Sequence, residues 1–437
     1  MKNSVSSNAL SIFTRDIFLT VSVLINGILI GRFLGPEYYG YWTILFLIPT
    51  YAEAFGRTKI DLAAVYFISK DKRNSNSILN TINSAGFIFS IIILVLFFLF
   101  FDIIYEGIFS NSESNLQFEL ALISFQFPFQ VFFLNYCYYF LALEKIKIYN
   151  QMVIIKAISF TLLLLILVFF KLSLVGIIVS LILSTILGFL FGFIKSNNVL
   201  FSFRFNFNEF KLLFKYSFNF YISGLLSHFT ELTSRTVAVF FISPVLVGFL
   251  GLGQTVSRLL NRVNDALNQI LYSRIRKLKL KSAQDITAKS FRIILLILIF
   301  FSLFFLIIVD QFIIITYGSD FKDAGLVVKI ILPATILFGS SSLFISFFNG
   351  IGKADIVPKI QIIPLLIQII ITILLTKYFS LIGAALGYSI GLVLYSFFLI
   401  STFLNYTKKK FSELYPGKKD LKFLYSFVKE KIKFIKW

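Results

Sequence analysis

The stretch that decides the fold covers residues 81–104 and reads TINSAGFIFSIIILVLFFLFFDII. Asp102 is its one charged side chain, and a helix of these 24 residues would be about 36 Å long, enough to cross the roughly 30 Å hydrocarbon core of a bilayer. Similar stretches recur along all 437 residues, of which 58% are hydrophobic and only 14% charged. Because a soluble domain carries about 25% charged residues, this composition excludes a soluble enzyme.

Twelve apolar stretches are long enough to cross a membrane as helices. The sequence therefore predicts an all-α polytopic membrane protein with about 12 transmembrane helices. The predicted spans 1 to 12 cover residues 10–32, 40–68, 81–104, 118–142, 148–170, 173–194, 214–242, 245–272, 290–315, 325–349, 356–377 and 381–405, and a tail follows at 406–437.

The basic residues predict the orientation of these spans. With the N-terminus inside, the inner segments contain 30 lysines and arginines and the outer segments 4. Cytoplasmic loops carry an excess of Lys and Arg, so we expect a multi-pass membrane protein with both termini cytoplasmic. The same rule explains the net charge of +20, which indicates contact with membrane lipids and no nucleic-acid partner.

The chain resembles itself at an offset of about 207 residues. Pro36 and Pro244 are 208 residues apart, and the Ser-Leu-Val-Gly sequence at 173–176 recurs as Ser-Leu-Ile-Gly at 380–383. An even number of spans per half keeps both halves in one orientation, which predicts two parallel six-helix repeats around a central cavity, as in many transporters. The predicted domains are a six-helix bundle at 1–195, a cytoplasmic linker at 196–212, a second bundle at 213–405, and a basic amphipathic cytoplasmic tail at 406–437.

Charged residues inside the predicted spans point to the functional site. An arginine at the bilayer centre costs about 2.5–3.5 kcal/mol, so such residues should face acidic partners or a water-filled cavity. Arg57 can pair with Glu53 or Asp61 on its own helix face, whereas Arg258 and Lys156 have no acid at helical spacing. The cavity should therefore have residual positive charge and accept an anionic group of a substrate.

Other interpretations of these charges remain open. Those near helix ends could extend toward the membrane surface, and Glu231 and Arg235 could form a purely structural pair. Ion coupling is also possible, with these acids as candidates: Glu53, Asp61, Glu231 and Asp265.

Motifs for catalysis or cofactors are absent from the sequence. The Gly350-Ile351-Gly352-Lys353 segment lacks the spacing of a P-loop, and the single histidine, His228, lies inside span 7. The single cysteine, Cys137, permits no intrachain disulfide. We therefore expect no enzyme activity, no cofactor and no metal site.

Four segments resemble one known family. Residues 32–40 (RFLGPEYYG) are similar to the signature after the first span of polysaccharide-repeat flippases, the O-antigen and capsule type within the multidrug/oligosaccharidyl-lipid/polysaccharide exporter superfamily. Residues 317–321 (YGSDF), 349–353 (NGIGK) and 380–385 (SLIGAA) resemble the family's loops around spans 10 and 12.

This resemblance implies a cavity lined by spans 1, 2, 7 and 8, and a substrate of undecaprenyl-pyrophosphate-linked oligosaccharide that is flipped from the inner to the outer leaflet. It also implies a location in the bacterial inner (plasma) membrane, and a polysaccharide polymerase and glycosyltransferases as partners in the same pathway. Span 1 contains Asn26 but no mid-span arginine, unlike the peptidoglycan-precursor flippases. The residues assigned to substrate binding are Arg258, Arg262, Arg235, Arg57, Asn261 and Asn26.

Two alternatives remain. A cation-coupled multidrug exporter of the same fold would have a cavity dominated by acidic and aromatic residues, against which Arg258 argues. A membrane-embedded polysaccharide polymerase or ligase would need a large outer loop with catalytic residues, and the outer loops here are short.

Overall fold

The structure is a computed structural model that describes residues 2–71, 75–109, 115–169, 173–196, 205–259, 261–276, 278–418, 420–422 and 426. This part of the chain forms α-helices and two short 3-10 helices, Ser319–Phe321 and Phe411–Leu414, and contains no strand. The α-helices are α1 (Lys2–Leu45), α2 (Leu47–Gly56), α3 (Ile60–Lys70), α4 (Ser75–Leu99), α5 (Phe101–Phe109), α6 (Gln117–Ser124), α7 (Gln126–Ala142), α8 (Ile146–Phe169), α9 (Leu174–Lys195), α10 (Phe207–Phe241), α11 (Pro244–Leu259), α12 (Arg262–Ile275), α13 (Leu280–Tyr317), α14 (Asp323–Gly350) and α15 (Ile356–Thr407).

Each predicted span lies within one helix or within consecutive helices, which confirms the all-α fold. By length and composition, eight helical stretches among the described residues can cross a membrane. Some contain more than one predicted span: α15 contains spans 11 and 12, which meet at Ser380 in a non-helical conformation (φ 51°, ψ −128°). The chain is therefore a multi-pass membrane protein.

The end of span 1 is set by a glycine and a proline. Gly35 has a φ of 74°, a conformation that glycine adopts without steric cost, and it divides α1 into two helical segments. Pro36 disfavours a helical conformation in the residue before it, and it suits the first turn of the segment that follows. The chain therefore turns at this point, between span 1 and span 2.

The described chain divides into two compact units. Unit 1 is Met1–Phe249 with Thr316–Asp320, and unit 2 is Leu250–Ile315 with Phe321–Trp437. The core of unit 1 packs around Tyr136 and Phe140, and unit 2 has a buried aromatic group that includes Phe344 and Phe403. The six-helix domains at 1–195 and 213–405 follow the sequence repeat instead, and they stay a prediction.

Two glycines in unit 1 allow a very close approach of backbone. A Cβ atom added to Gly40 would meet the carbonyl group of Pro244, and one added to Gly248 would lie 3.0 Å from Gly40 Cα. These glycines are 208 residues apart, so they are equivalent positions of the sequence repeat. The repeat therefore preserves a glycine on both sides of one backbone contact.

Candidate functional site

Span 2 is interrupted where its charged residues lie. Helix α2 ends at Gly56 and α3 begins at Ile60, and we call the residues between them, Arg57, Thr58 and Lys59, the span 2 break. Arg57 is extended (φ −89°, ψ 90°) and Lys59 is left-handed (φ 56°). A left-handed conformation is strained for a side chain other than glycine, so the surroundings must hold this break in place.

Hydroxyl groups of α10 satisfy backbone carbonyls that the break leaves without helical partners. Ser217 Oγ donates to the carbonyl oxygen of Thr58 at 3.2 Å, and Tyr221 Oη donates to that of Phe55 at 3.1 Å. Non-helical backbone at membrane depth is tolerated only where protein or water replaces the missing bonds. Helix α10 therefore stabilises the break.

Arg57 pairs with both of the acids that lie four residues from it in the sequence. Its Nε donates to Asp61 Oδ2 at 2.8 Å, its Nη2 donates to the same oxygen, and its Nη1 donates to Glu53 Oε1 at 3.1 Å. Its guanidinium group also lies 5.0 Å from the centre of the Tyr138 ring. Arg57 is 8% exposed and Asp61 1% exposed, whereas Glu53 is 21% exposed. The sequence left the choice of partner open, and the structure uses both.

Lys156 has a neutral hydrogen-bond partner on another helix. Its Nζ donates to Gln130 Oε1 at 2.6 Å and lies 4.9 Å from the centre of the Phe133 ring, both on α7. Lys156 has no acid at helical spacing on its own helix, and an amide oxygen of a neighbouring helix accepts its hydrogen bond instead. An amide satisfies the geometry of the ammonium group without cancelling its charge.

These residues form one electrostatic neighbourhood within unit 1. The Glu53 carboxylate interacts electrostatically with Arg57, Lys59, Lys156 and His228. We call the following residues the charged cluster: Glu53, Arg57, Lys59, Asp61 and Lys156. Its three cations face two carboxylates, so it retains positive charge while both carboxylates are ionised.

The other candidates in unit 1 lie on α1 and α10. Asn26 is buried in α1, and its Oδ1 accepts no hydrogen bond from the described residues. Glu231 and Arg235 lie on α10, and each has interactions of its own. Arg235 interacts electrostatically with Tyr39 and Tyr51. Any role of these residues in substrate binding stays a prediction.

The candidates in unit 2 lie at the junction of α11 and α12. Arg258 is partly buried near the end of α11 and takes part in interactions there. Asn261 Nδ2 donates to the carbonyl oxygen of Thr335 at 3.0 Å. Arg262 and Asp265 have their backbone in α12, but their side chains lie outside what the structure describes.

Asparagine side chains connect α12 to α14. Asn264 Nδ2 donates to the carbonyl oxygen of Gly339 and, at 2.9 Å, to Ser342 Oγ. Asn268 Nδ2 donates to Ser342 Oγ at 2.8 Å, and its Oδ1 accepts from Ser346 Oγ at 2.8 Å. We call Asn261, Asn264 and Asn268 with these partners the amide ladder. The amide ladder shows that part of the polar face of span 8 is used for contacts with α14.

Sequence reasoning missed several members of the site. Lys59 lies two residues after Arg57, and a lysine inside an apolar span is a signal that can be seen in the sequence alone. Gln130 and Tyr138 are polar residues within span 4, but only the tertiary structure shows that they contact Lys156 and Arg57. Among the side chains that the structure describes, no three His, Cys, Asp or Glu residues converge as metal ligands.

Comparisons with known proteins agree with this architecture. The family model described as "Polysaccharide biosynthesis protein" matches residues 5–272. No curated protein sequence matches the chain.

Solved structures of membrane transporters share the fold. The lipid II flippase MurJ in an inward closed conformation is 14% identical with a TM-score of 0.73, and the match covers 92% of this chain and 89% of MurJ. An inward-facing multidrug resistance MATE family transporter of the MOP superfamily is 13% identical with a TM-score of 0.73, covering 92% and 99%. A mutant of the Vibrio cholerae MATE transporter VcmN is 13% identical with a TM-score of 0.61, covering 94% and 99%.

Proposed function

This chain belongs to the polysaccharide biosynthesis protein family, and from that premise we propose that it flips undecaprenyl-pyrophosphate-linked oligosaccharide units from the inner to the outer leaflet. The membrane is the bacterial inner membrane, both termini are cytoplasmic, and the product is O-antigen or capsule. The mechanism is alternating access. Glycosyltransferases supply the lipid-linked unit, and a polysaccharide polymerase consumes it.

The positive charge of the charged cluster carries this proposal. A pyrophosphate group is a multiply charged anion, and charge-assisted hydrogen bonds to cations are the strong ones. Lys156 donates to a neutral amide, so a phosphate oxygen can replace or join Gln130 as acceptor without an ion pair being broken. Lys59 and Arg57 add cationic donors from the span 2 break. Asn26 and Arg235, and in unit 2 Arg258, Asn261 and Arg262, complete the proposed set of substrate-binding residues.

The function is tested with purified protein in proteoliposomes. The probe is a short-chain prenyl pyrophosphate that carries a fluorescent disaccharide, loaded in one leaflet, and a membrane-impermeant quencher reports its appearance in the other leaflet. We expect movement that depends on the protein, and the same vesicles should not export ethidium. Export of ethidium without movement of the prenyl probe would reject the flippase and favour the drug exporter.

The site is tested by Lys156→Gln, with Lys195→Gln as matched control. Lys195 also lies beside a phenylalanine ring, 5.8 Å from the centre of Phe191, but at the end of α9. A hydrogen bond to a charged group contributes about 1.5–3 kcal/mol, so Lys156→Gln should slow flipping by about tenfold or more, with partial rescue in Lys156→Arg. Equal rates in the two glutamine variants would remove the cluster from the substrate site and leave the flippase proposal standing.

A second candidate function, cation-coupled multidrug export, is favoured by the acids of the cluster. Glu53 remains partly exposed, so water and a coupling ion can reach its carboxylate. The candidate coupling acids are Glu53, Asp61, Glu231 and Asp265. Under this candidate, Glu53→Gln should abolish the dependence of transport on an imposed proton gradient. We propose transport rather than catalysis in either case.

A further inference from the structure

The chain after α15 turns back onto the beginning of α13, within unit 2. Arg292 on α13 donates from Nε to Asp420 Oδ2 at 2.9 Å and from Nη2 to Asp420 Oδ1 at 3.3 Å. Its Nη1 donates to the carbonyl oxygen of Glu413 at 2.6 Å. Asp420 is 5% exposed, and a two-point contact of this kind fixes orientation as well as distance. Arg292 therefore holds residues 413–420 against α13.

A second set of contacts lies about two helical turns earlier on α13, at Asp285. Lys409 Nζ donates to Asp285 Oδ1 at 2.8 Å and to Glu413 Oε2 at 3.0 Å. Glu413 Oε1 accepts from the backbone N–H of Lys410 at 2.9 Å. All three acids of residues 274–292 and 408–422, namely Asp285, Glu413 and Asp420, thus accept hydrogen bonds within this contact, which we call the tail clasp.

The side chains that the tail clasp leaves exposed are either cationic or apolar. Phe411 is 54% exposed, Tyr415 62% and Leu421 55%, and the rings of Phe411 and Tyr415 pack edge to face with centres 5.2 Å apart. The same two segments carry exposed cations: Lys408, Lys410, Lys418 and Lys422 in the tail, and Arg274, Arg276, Lys279, Lys281 and Lys289 before and within α13. Exposed rings beside lysines suit the boundary between lipid headgroups and acyl chains.

We propose that residues 408–418 and 420–422, held by the tail clasp, form a binding surface for anionic phospholipids of the inner leaflet. Phe411 and Tyr415 enter the headgroup region, and the lysines around them contact lipid phosphates. The acids are all engaged in the clasp, so the surface offers cations to a negatively charged membrane. Each lysine near such a surface contributes about fivefold in binding. The tail is then a lipid sensor that is attached directly to a membrane-spanning helix.

The test uses the full chain in vesicles of phosphatidylcholine, alone or mixed with phosphatidylglycerol. The buried Cys137 is replaced by serine, and the exposed Ser412 is replaced by cysteine and labelled with an environment-sensitive fluorophore. We expect blue-shifted emission and quenching by brominated lipid when phosphatidylglycerol is present. In Lys410→Gln/Lys418→Gln, the phosphatidylglycerol fraction that gives half of the change should rise severalfold, and Phe411→Ser/Tyr415→Ser should abolish the shift.

The matched control is Lys377→Gln/Tyr378→Ser/Phe379→Ser, which makes the same kinds of change among exposed residues of α15, outside the tail. It should leave the response of the label unchanged. Identical emission in the two kinds of vesicle would show that headgroup charge is not recognised. A label that stays in water in both would show that the segment does not contact the membrane. Either result overturns the proposal.

Discussion

Span 2 and span 8 are the second spans of the two predicted halves, and each contains a junction between two helices, α2 and α3 in span 2 and α11 and α12 in span 8. In span 2, the residues between the helices are extended at Arg57 and left-handed at Lys59. In span 8, Asn261 between α11 and α12 is close to helical (φ −79°, ψ −10°). The ion pairs of Arg57 and the hydroxyl groups of α10 hold the break of span 2, whereas amides of the ladder lie at the junction in span 8.

The difference has an energetic meaning. A buried ion whose partner is removed keeps its full cost of desolvation, while an asparagine that loses a partner leaves a neutral dipole. The charged cluster is therefore the more vulnerable region, and the amide ladder the more tolerant one. Stability measurements on the detergent-purified protein can test this order.

The largest effect is expected for Asp61→Asn. Removing one partner of a buried pair costs about 3–5 kcal/mol, and the lower figure of about 3 kcal/mol applies here because Glu53 still accepts from Arg57. The matched control is Asp310→Asn, since Asp310 pairs with Lys329 at 2.5 Å but both are 39% exposed. It should cost about 1 kcal/mol or less. In Arg57→Met/Asp61→Leu, part of the stability should return, because both ions of the buried pair are gone and Glu53, which loses Arg57, is 21% exposed.

A smaller effect is expected for Asn264→Ala. It removes hydrogen bonds to Gly339 and Ser342, and such bonds between membrane helices contribute on average about 0.6 kcal/mol and at most about 1.7. Asn405→Ala is the control, since Asn405 is exposed near the end of α15. Thermal unfolding should place Asn264→Ala between this control and Asp61→Asn. A loss as large as that of Asp61→Asn would break the contrast between charges and amides.

The smallest effect concerns a charge pair outside the membrane and depends on pH. Burial raises the pKa of Asp420, but hydrogen bonds from Arg292 and from the Gly417 N–H outweigh it and hold that pKa below its ordinary value. The folded pKa is below the unfolded one, so the stabilisation is present above about pH 4 and is lost as the pH falls through the folded pKa. Arg292 is 22% exposed and keeps its hydrogen bond to the carbonyl oxygen of Glu413, so Asp420→Asn should cost about 1 kcal/mol at pH 7 and nothing in strong acid. A difference between Asp420→Asn and wild type that persists in strong acid would contradict this assignment.

The spans could be predicted because the bilayer imposes length and apolarity on every helix that crosses it. Residues 173–194 were predicted as span 6, and α9 covers Leu174–Lys195. The single α15 was not foreseen, because Ser380 interrupts the helix locally without a loop between spans 11 and 12. Hydropathy indicates which residues can lie in lipid, but it does not predict the backbone conformation of a single residue such as Ser380.

Of the candidate site, the pairs at a spacing of four residues were predictable and the contacts between distant helices were not. The spacing of Glu53, Arg57 and Asp61 predicts that Arg57 can pair with either acid, and the structure has both pairs although the helix is interrupted at Arg57. The partner of Lys156 is Gln130, on a different helix, and no spacing rule connects the two. The break itself depends on hydroxyl groups of α10, which lie more than 150 residues further along the chain.

The glycine contact in unit 1 bears on how the chain arose. Gly40 and Gly248 are equivalent positions of the repeat, and their backbones lie against each other. In a symmetric homodimer, a residue on the two-fold axis meets its own copy, and a contact of this kind is isologous. A six-helix ancestor that dimerised would have placed one glycine opposite itself, and duplication with fusion would have turned that self-contact into a contact between two different positions. In the present chain, a side chain added at either position would meet the backbone of the other.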